Sequence, residues 1–115
     1  MTALLERTGV SVCRYTDLQP ERGVRALVGD VHVAVFRTHD GEVHAIDAVD
    51  PFSSASVLSR GVVGTAGDEP FVSSPMYKQR FGLRTGVCLD DPSVRVRVFS
   101  VDVVDGVVVI ARPSW

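Results

Sequence analysis

Asp50-Pro51-Phe52 and Ser74-Pro75-Met76-Tyr77, the second followed by Phe81-Gly82-Leu83-Arg84-Thr85-Gly86, are the stretches whose reading decides the fold. Asp50-Pro51 opens a turn, and Pro51 and Pro75 stiffen the two segments that they begin. Between them Ser53, Ser54 and Ser56 offer local hydrogen-bonding side chains, and Gly61, Gly64 and Gly67 permit tight backbone paths. The hydrophobic pattern breaks down from Ile46 to Phe71, which reads as a loop region. A loop that long inside a compact domain is usually functional or packs on itself.

Outward from this region the signals are those of an all-β protein. Val10 to Tyr15 alternates and reads as an opening strand. Val24–Val28 and Val31–Phe36 flank Gly29-Asp30, a two-residue hairpin signal. A second hairpin turns at Asp40-Gly41 into Val43–Ile46. Towards the end, Val94, Val96 and Val98 alternate with Arg95 and Arg97, and Asp105-Gly106 leads into Val107–Ala111. The apolar phase slips between Val98 and Val101, which predicts a bulge near Phe99-Ser100. Only Thr2–Thr8 and Ser54–Ser59 could hold a helical turn, and neither is long enough to stand alone. β-Branched enrichment and evenly spaced turns point to a small sandwich or barrel.

Size and charge narrow the function. A chain of 115 residues is one domain, 1–115, and buries roughly two-thirds of its extended surface. The net charge of −2 gives no electrostatic footprint for nucleic acid or for an anionic membrane. No apolar run approaches the ~20 residues that span a bilayer. The N-terminus lacks a basic segment followed by an apolar one. Cys13 and Cys88 have no CxxC spacing, so the expectation is a cytoplasmic protein with both thiols reduced.

The skeleton resembles the cluster-binding region of Rieske-type [2Fe–2S] domains. There a Cys-Pro-x pair with His on one loop faces a Cys-Pro-x-His on another, followed by a Phe-x-Leu-x-Thr-Gly-like strand. Such a cluster takes two thiolates on one iron and two imidazoles on the other. The matching positions here are Asp50, Phe52, Ser74 and Tyr77, none of them a thiol or an imidazole. A Rieske-like domain without its ligands, its degenerate cluster-binding region running from about 47 to 90, looks most like the small subunit of NAD(P)H-dependent nitrite reductase. Val43-His44-Ala45-Ile46-Asp47, Val57-Leu58-Ser59-Arg60-Gly61, Ser74-Pro75-Met76-Tyr77-Lys78-Gln79 and Leu83-Arg84-Thr85-Gly86-Val87-Cys88-Leu89-Asp90-Asp91 carry the likeness. It implies a Rieske-like β-sandwich or barrel with a degenerate cluster-binding subdomain. It also implies a non-catalytic subunit without a redox group, serving nitrate assimilation. Its large-subunit partner would carry FAD, siroheme and an iron–sulfur cluster and reduce nitrite to ammonium. The rival reading is a free-standing degenerate Rieske-like binding module of another oxygenase or reductase.

The candidate sites follow. Oxygen donors at Asp50, Ser74 and Tyr77 suit calcium or magnesium better than iron–sulfide, and Phe52 ligates nothing. The expectation is that Phe52, Met76 and Tyr77 fill the cluster's volume, with the Tyr77 hydroxyl bonded to Asp50 or Ser74. His32, His39 and His44 read as surface or edge residues. Cys88 has no local base to make it a nucleophile, and Asp90-Asp91 reads as a solvated turn. Lys78, Arg80 and Arg84 around the second loop, with Arg60 at the end of the first, are either solvated charge or a docking face for the large subunit.

Overall fold

The computed structural model describes residues 9–111, which form ten strands. They are β1 Gly9–Arg14, β2 Arg22–Val28, β3 Val31–Arg37, β4 Val43–Asp47, β5 Val62–Ala66, β6 Glu69–Ser73, β7 Arg80–Gly82, β8 Val98–Phe99, β9 Val101–Val104 and β10 Val107–Ala111. Single 3-10 turns at Tyr15–Asp17 and Leu58–Arg60 complete the elements, with no α-helix among the described residues. Three antiparallel sheets result: an outer one ordered β1-β10-β9, a central one ordered β2-β3-β4-β8, and a small one ordered β5-β6-β7.

The run Val33-Ala34-Val35-Phe36 is fully buried because β3 lies inside the central sheet, which is covered on both faces. Successive side chains on a strand point to opposite faces. Val33 and Val35 therefore join Leu18, Val28, Ala45, Phe99, Val108 and Ile110 in one core. Ala34 and Phe36 join Ile46, Leu58, Val72, Phe81, Leu83 and Cys88 in the other. Burying a side chain such as Phe36 contributes about 1.5–3 kcal/mol. The first core holds the outer sheet on the central one, and the second holds the small sheet and its loops.

Several expectations change against this architecture. The Val94–Val98 alternation does not make a long strand; only Val98 and Phe99 pair, with Ile46 and Ala45, and Arg95 makes an isolated bridge to Val87. The phase slip at Phe99-Ser100 is a change of sheet. Phe99 belongs to the central sheet and Val101, one residue past Ser100, pairs with Ile110 in the outer one. The pattern failure between Ile46 and Phe71 hides the β5–β6 hairpin, which turns at Gly67-Asp68. Val62 is 72% exposed there, and Gly64 and Pro70 interrupt the alternation. The Phe81–Gly86 strand ends at Gly82, and Leu83–Gly86 is a turn closed by Gly86 N–H to Gly82 C=O at 2.8 Å. The Thr2–Thr8 helical turn lies outside the described residues, and Ser54–Ser59 yields only the 3-10 turn that starts at Leu58.

Cys13 and Cys88 are free thiols packed in different cores, so no bridge joins them. Burial, with a smaller contribution from Asp17, pushes the Cys13 thiol up. That makes it a packing residue rather than a reactive one.

Gly86 pins the turn after β7 to the segment before β8. Its φ is +75°, and a Cβ there would lie 2.2 Å from the Val96 carbonyl oxygen. Gly86→Ala is expected to destabilise the protein by about 1–3 kcal/mol, since an L-residue in this region is strained even before the clash. Urea unfolding measures it; an unchanged midpoint would show that the turn relaxes freely.

Candidate functional site

The two proline-bearing segments form a matched pair of loops. Residues 50–55 leave β4 and return through the antiparallel bridge of Val49 with Ser56. Residues 74–79 leave β6 and return through the pairing of Ser73 with Arg80. Each loop closes by the same bonds. The Asp50 N–H donates to Ala55 C=O at 2.9 Å, and Ser54 N–H to Asp50 C=O at 2.7 Å. Likewise Ser74 N–H donates to Gln79 C=O and Lys78 N–H to Ser74 C=O, both at 2.9 Å. The fifth residue of each, Ser54 at φ +60° and Lys78 at φ +66°, has left-handed backbone. The first side chain of each accepts from the third residue's N–H: Asp50 Oδ1 from Phe52 at 2.8 Å, and Ser74 Oγ from Met76 at 3.2 Å. The signal for the shared register in the sequence is the two polar-Pro pairs, Asp50-Pro51 and Ser74-Pro75.

One bond joins the loops. The Ser74 hydroxyl donates to Asp50 Oδ2 between two buried side chains. Asp50 therefore accepts from both loops at once, and Ser74 both donates and accepts. Both Asp50 carboxylate oxygens and the Ser74 hydroxyl are thus engaged within the loop pair.

The aromatic side chains do not fill this place. Phe52 is 37%, Met76 48% and Tyr77 60% exposed, so the expected plug is instead an apolar tip open to solvent. The physical reason is that the buried Asp50 and Ser74 side chains meet directly and join the loops themselves. Tyr77 consequently makes no bond to Asp50 or Ser74; those two bond each other. Phe52 keeps one inward contact, its ring lying 6.2 Å from that of Phe81.

The four basic residues are not one patch. Lys78 is exposed at the second loop. Arg80 is committed to Asp90, with Nη2 2.8 Å from Oδ1, and the Arg80 N–H donates to Oδ2 at 2.8 Å. These bonds hold the Asp90 carboxyl below the usual carboxylate range, so Asp90 is a partner and not a bare solvated turn residue. Arg84 donates to the Asp68 carbonyl at 3.1 Å and lies 3.5 Å from Glu42. Arg60 sits in a separate groove beside Glu21, Arg22 and Val62. Of the histidines, His32 and His39 are exposed, but His44 is half-buried, which lowers its pKa despite the nearby Glu42 carboxylate. Among the described residues no three His, Cys, Asp or Glu side chains form a metal-binding group.

Residues 9–111 match the Rieske-like [2Fe-2S] domain family. The chain is 46% identical over 98 residues to the NADH nitrite reductase small subunit of Escherichia coli K12, covering 84% of this chain and 91% of that one. This chain belongs to the Rieske-like family of nitrite reductase small subunits. The NMR structure of the Escherichia coli protein NirD superposes with a TM-score of 0.84 at 43% identity, covering 92% of this chain and 97% of that one. A nitrite reductase [NAD(P)H] large subunit of Klebsiella oxytoca is also similar, 42% identical over 104 residues, which is 90% of this chain and 11% of that protein.

The [2Fe–2S] group of the wider Rieske-like family does not fit the four residues singled out above. A phenyl ring at Phe52 cannot coordinate iron, and the cluster's thiolates and imidazoles have no counterpart there. Asp50 and Ser74 are moreover spent on each other and on their own loops.

The loop pair should behave as a coupled unit. Ser74→Ala strands the buried Asp50 carboxylate and the Met76 N–H, and is expected to cost about 1–3 kcal/mol. Asp50→Ala should cost a comparable amount. In a double-mutant cycle followed by urea unfolding, the two effects should fall short of additivity by at least about 0.5 kcal/mol; strict additivity would deny the bond its role.

Proposed function

We propose that this chain is the non-catalytic small subunit of a cytoplasmic NAD(P)H-dependent nitrite reductase, acting with a large subunit that reduces nitrite to ammonium. The observation that carries the reading is the 46% identity spanning 91% of a nitrite reductase small subunit. The chemistry of the loop pair agrees with it. Asp50, Phe52, Ser74 and Tyr77 stand at degenerate ligand positions, so this chain supplies no redox group. FAD, siroheme and an iron–sulfur cluster belong to the large subunit. The Klebsiella protein, in which a segment like this chain makes up part of a large subunit, favours direct contact between the two. A soluble role fits a molecule in which no described helix is long and apolar enough to cross a membrane. The whole chain acts as one Rieske-like domain, its degenerate region running from about 47 to 90.

Activity should require both chains. The purified small subunit should be colourless, carry no stoichiometric iron or sulfide, and oxidise no NADH with nitrite until the large subunit is added. Visible absorbance with iron and sulfide after anaerobic purification, or turnover by this chain alone, would refute the reading.

The docking face in this reading is the loop-pair tip, where Phe52, Met76 and Tyr77 stand with Pro51, Pro75 and Lys78 in solvent. Aromatic residues and methionine are enriched at protein interfaces and lysine is not. The apolar side chains are therefore the anchors, and Lys78 steers. Because Met76 and Tyr77 are exposed, Met76→Asp with Tyr77→Ala should leave the thermal melt nearly unchanged. The same double variant should weaken the complex at least about tenfold, as the loss of an interface anchor does. Lys78→Glu should mainly slow association, and more at low ionic strength. An unaltered affinity in the double variant would move the interface elsewhere.

A further inference from the structure

Three of the chain's twelve basic residues meet in a groove of about 660 Å³ beside β8, in a molecule whose net charge is −2. Arg84, Arg95 and Arg97 line it with Asp47, Thr85 and Val98. Their states differ. Arg97 is locked to Asp47, Nη2 to Oδ1 at 2.7 Å and Nε to Oδ2 at 3.0 Å, and its backbone N–H donates to the same carboxylate at 2.7 Å. Its guanidinium also lies 5.9 Å from the centre of the Phe99 ring. Arg84 is held by the Asp68 carbonyl and by Glu42. Arg95 is exposed and has no hydrogen-bond or ion-pair partner among the described residues.

The backbone under Arg95 is nevertheless fixed. Arg95 bridges Val87, and the next residue, Val96, donates its N–H to Gly86 C=O at 2.8 Å. The groove thus presents one uncommitted guanidinium on a rigid wall, flanked by two already placed. Asp47 and Glu42 offset the charges of Arg97 and Arg84, so about one positive charge is left over. That matches a single carboxylate and is too little for a polyphosphate. Val98, 40% exposed, gives the groove an apolar side against which a peptide stem can lie.

We propose that this groove receives an aspartate or glutamate side chain of the large subunit, which pairs with both prongs of the Arg95 guanidinium between the already placed Arg84 and Arg97. The proposal rests on the subunit reading above and adds to it a second contact, distinct in its residues from the loop-pair tip. A fork-shaped donor set suits a carboxylate, and lysine does not reproduce it.

The test uses the purified large subunit with the full small chain. Dissociation constants are measured across a range of salt concentrations for wild type, Arg95→Glu and Arg95→Lys. Arg95→Glu should raise Kd at least about tenfold, a change of about 1.4 kcal/mol, and should flatten its salt dependence. Arg95→Lys should fall between, because the charge is kept and the fork lost. Thermal melts should match wild type, since the side chain has no hydrogen-bond or ion-pair partner among the described residues. Should Arg95→Glu bind as wild type does, with the same salt dependence, the groove proposal falls while the subunit reading stands. A wild-type chain that binds no large subunit at all would sink both.

Discussion

Burial of β3 on both faces is the constraint from which the other elements take their places. A strand whose consecutive residues Val33, Ala34, Val35 and Phe36 are all removed from water needs a cover on each side. The chain provides the two covers from different parts of its length. Residues near both ends, in β1, β9 and β10, form one; the middle segment, in β5, β6 and β7, forms the other. Phe36 then shares one core with Leu58, Val72, Phe81 and Leu83, residues of the small sheet and of the segments around the two loops. Disturbing Phe36 would loosen the platform beneath the tip without touching the tip itself.

The form of the loops is written into the backbone. A proline at the second position, a left-handed residue at the fifth and two closing N–H to C=O bonds recur in each. None of these depends on what the first side chain coordinates. A metal cluster would tie two such loops by bonds to both; here the Ser74 hydroxyl and the Asp50 carboxylate do so. A single hydrogen bond is far weaker than a set of metal–ligand bonds. It suffices because both groups are buried, where an unmet carboxylate or hydroxyl costs more than the bond itself contributes. The side chains of Phe52 and Tyr77 are left open to solvent.

The sequence revealed the fold where periodicity and turn chemistry agree, as in β2, β3 and the Asp105-Gly106 hairpin, whose two turn residues both take positive φ. It failed where a strand is short, exposed or shared between sheets. Val62–Ala66 shows too little apolar alternation to be seen, and Val94–Val98 shows alternation without a partner strand to complete it. At the site, the identity of Asp50, Phe52, Ser74 and Tyr77 was legible, because the absence of thiols and imidazoles is a property of composition. Their positions were not. Whether an aromatic ring fills a gap or leaves it depends on whether something smaller has closed that gap, and the Asp50–Ser74 bond spans 24 residues of sequence. The commitment of Arg80 to Asp90 is equally non-local, set by the return path after β7.

The two loops are held by their own backbone bonds and by one bond between them, so the tip they present is pre-organised. Loops that must hold a cluster are stiff, and stiffness also reduces the entropy lost when a surface docks. In the proposed complex the tip and the arginine groove would divide the task by physical kind. Apolar side chains at the tip would gain from losing water and govern how long the complex lasts. Charges at Lys78 and Arg95 would act at a distance and govern how often it forms. Arg80, Arg84 and Arg97 carry the same formal charge yet would contribute less to that attraction, since Asp90, Glu42 and Asp47 already offset them. What matters for recognition is therefore the uncompensated charge on a fixed backbone, not the number of basic residues.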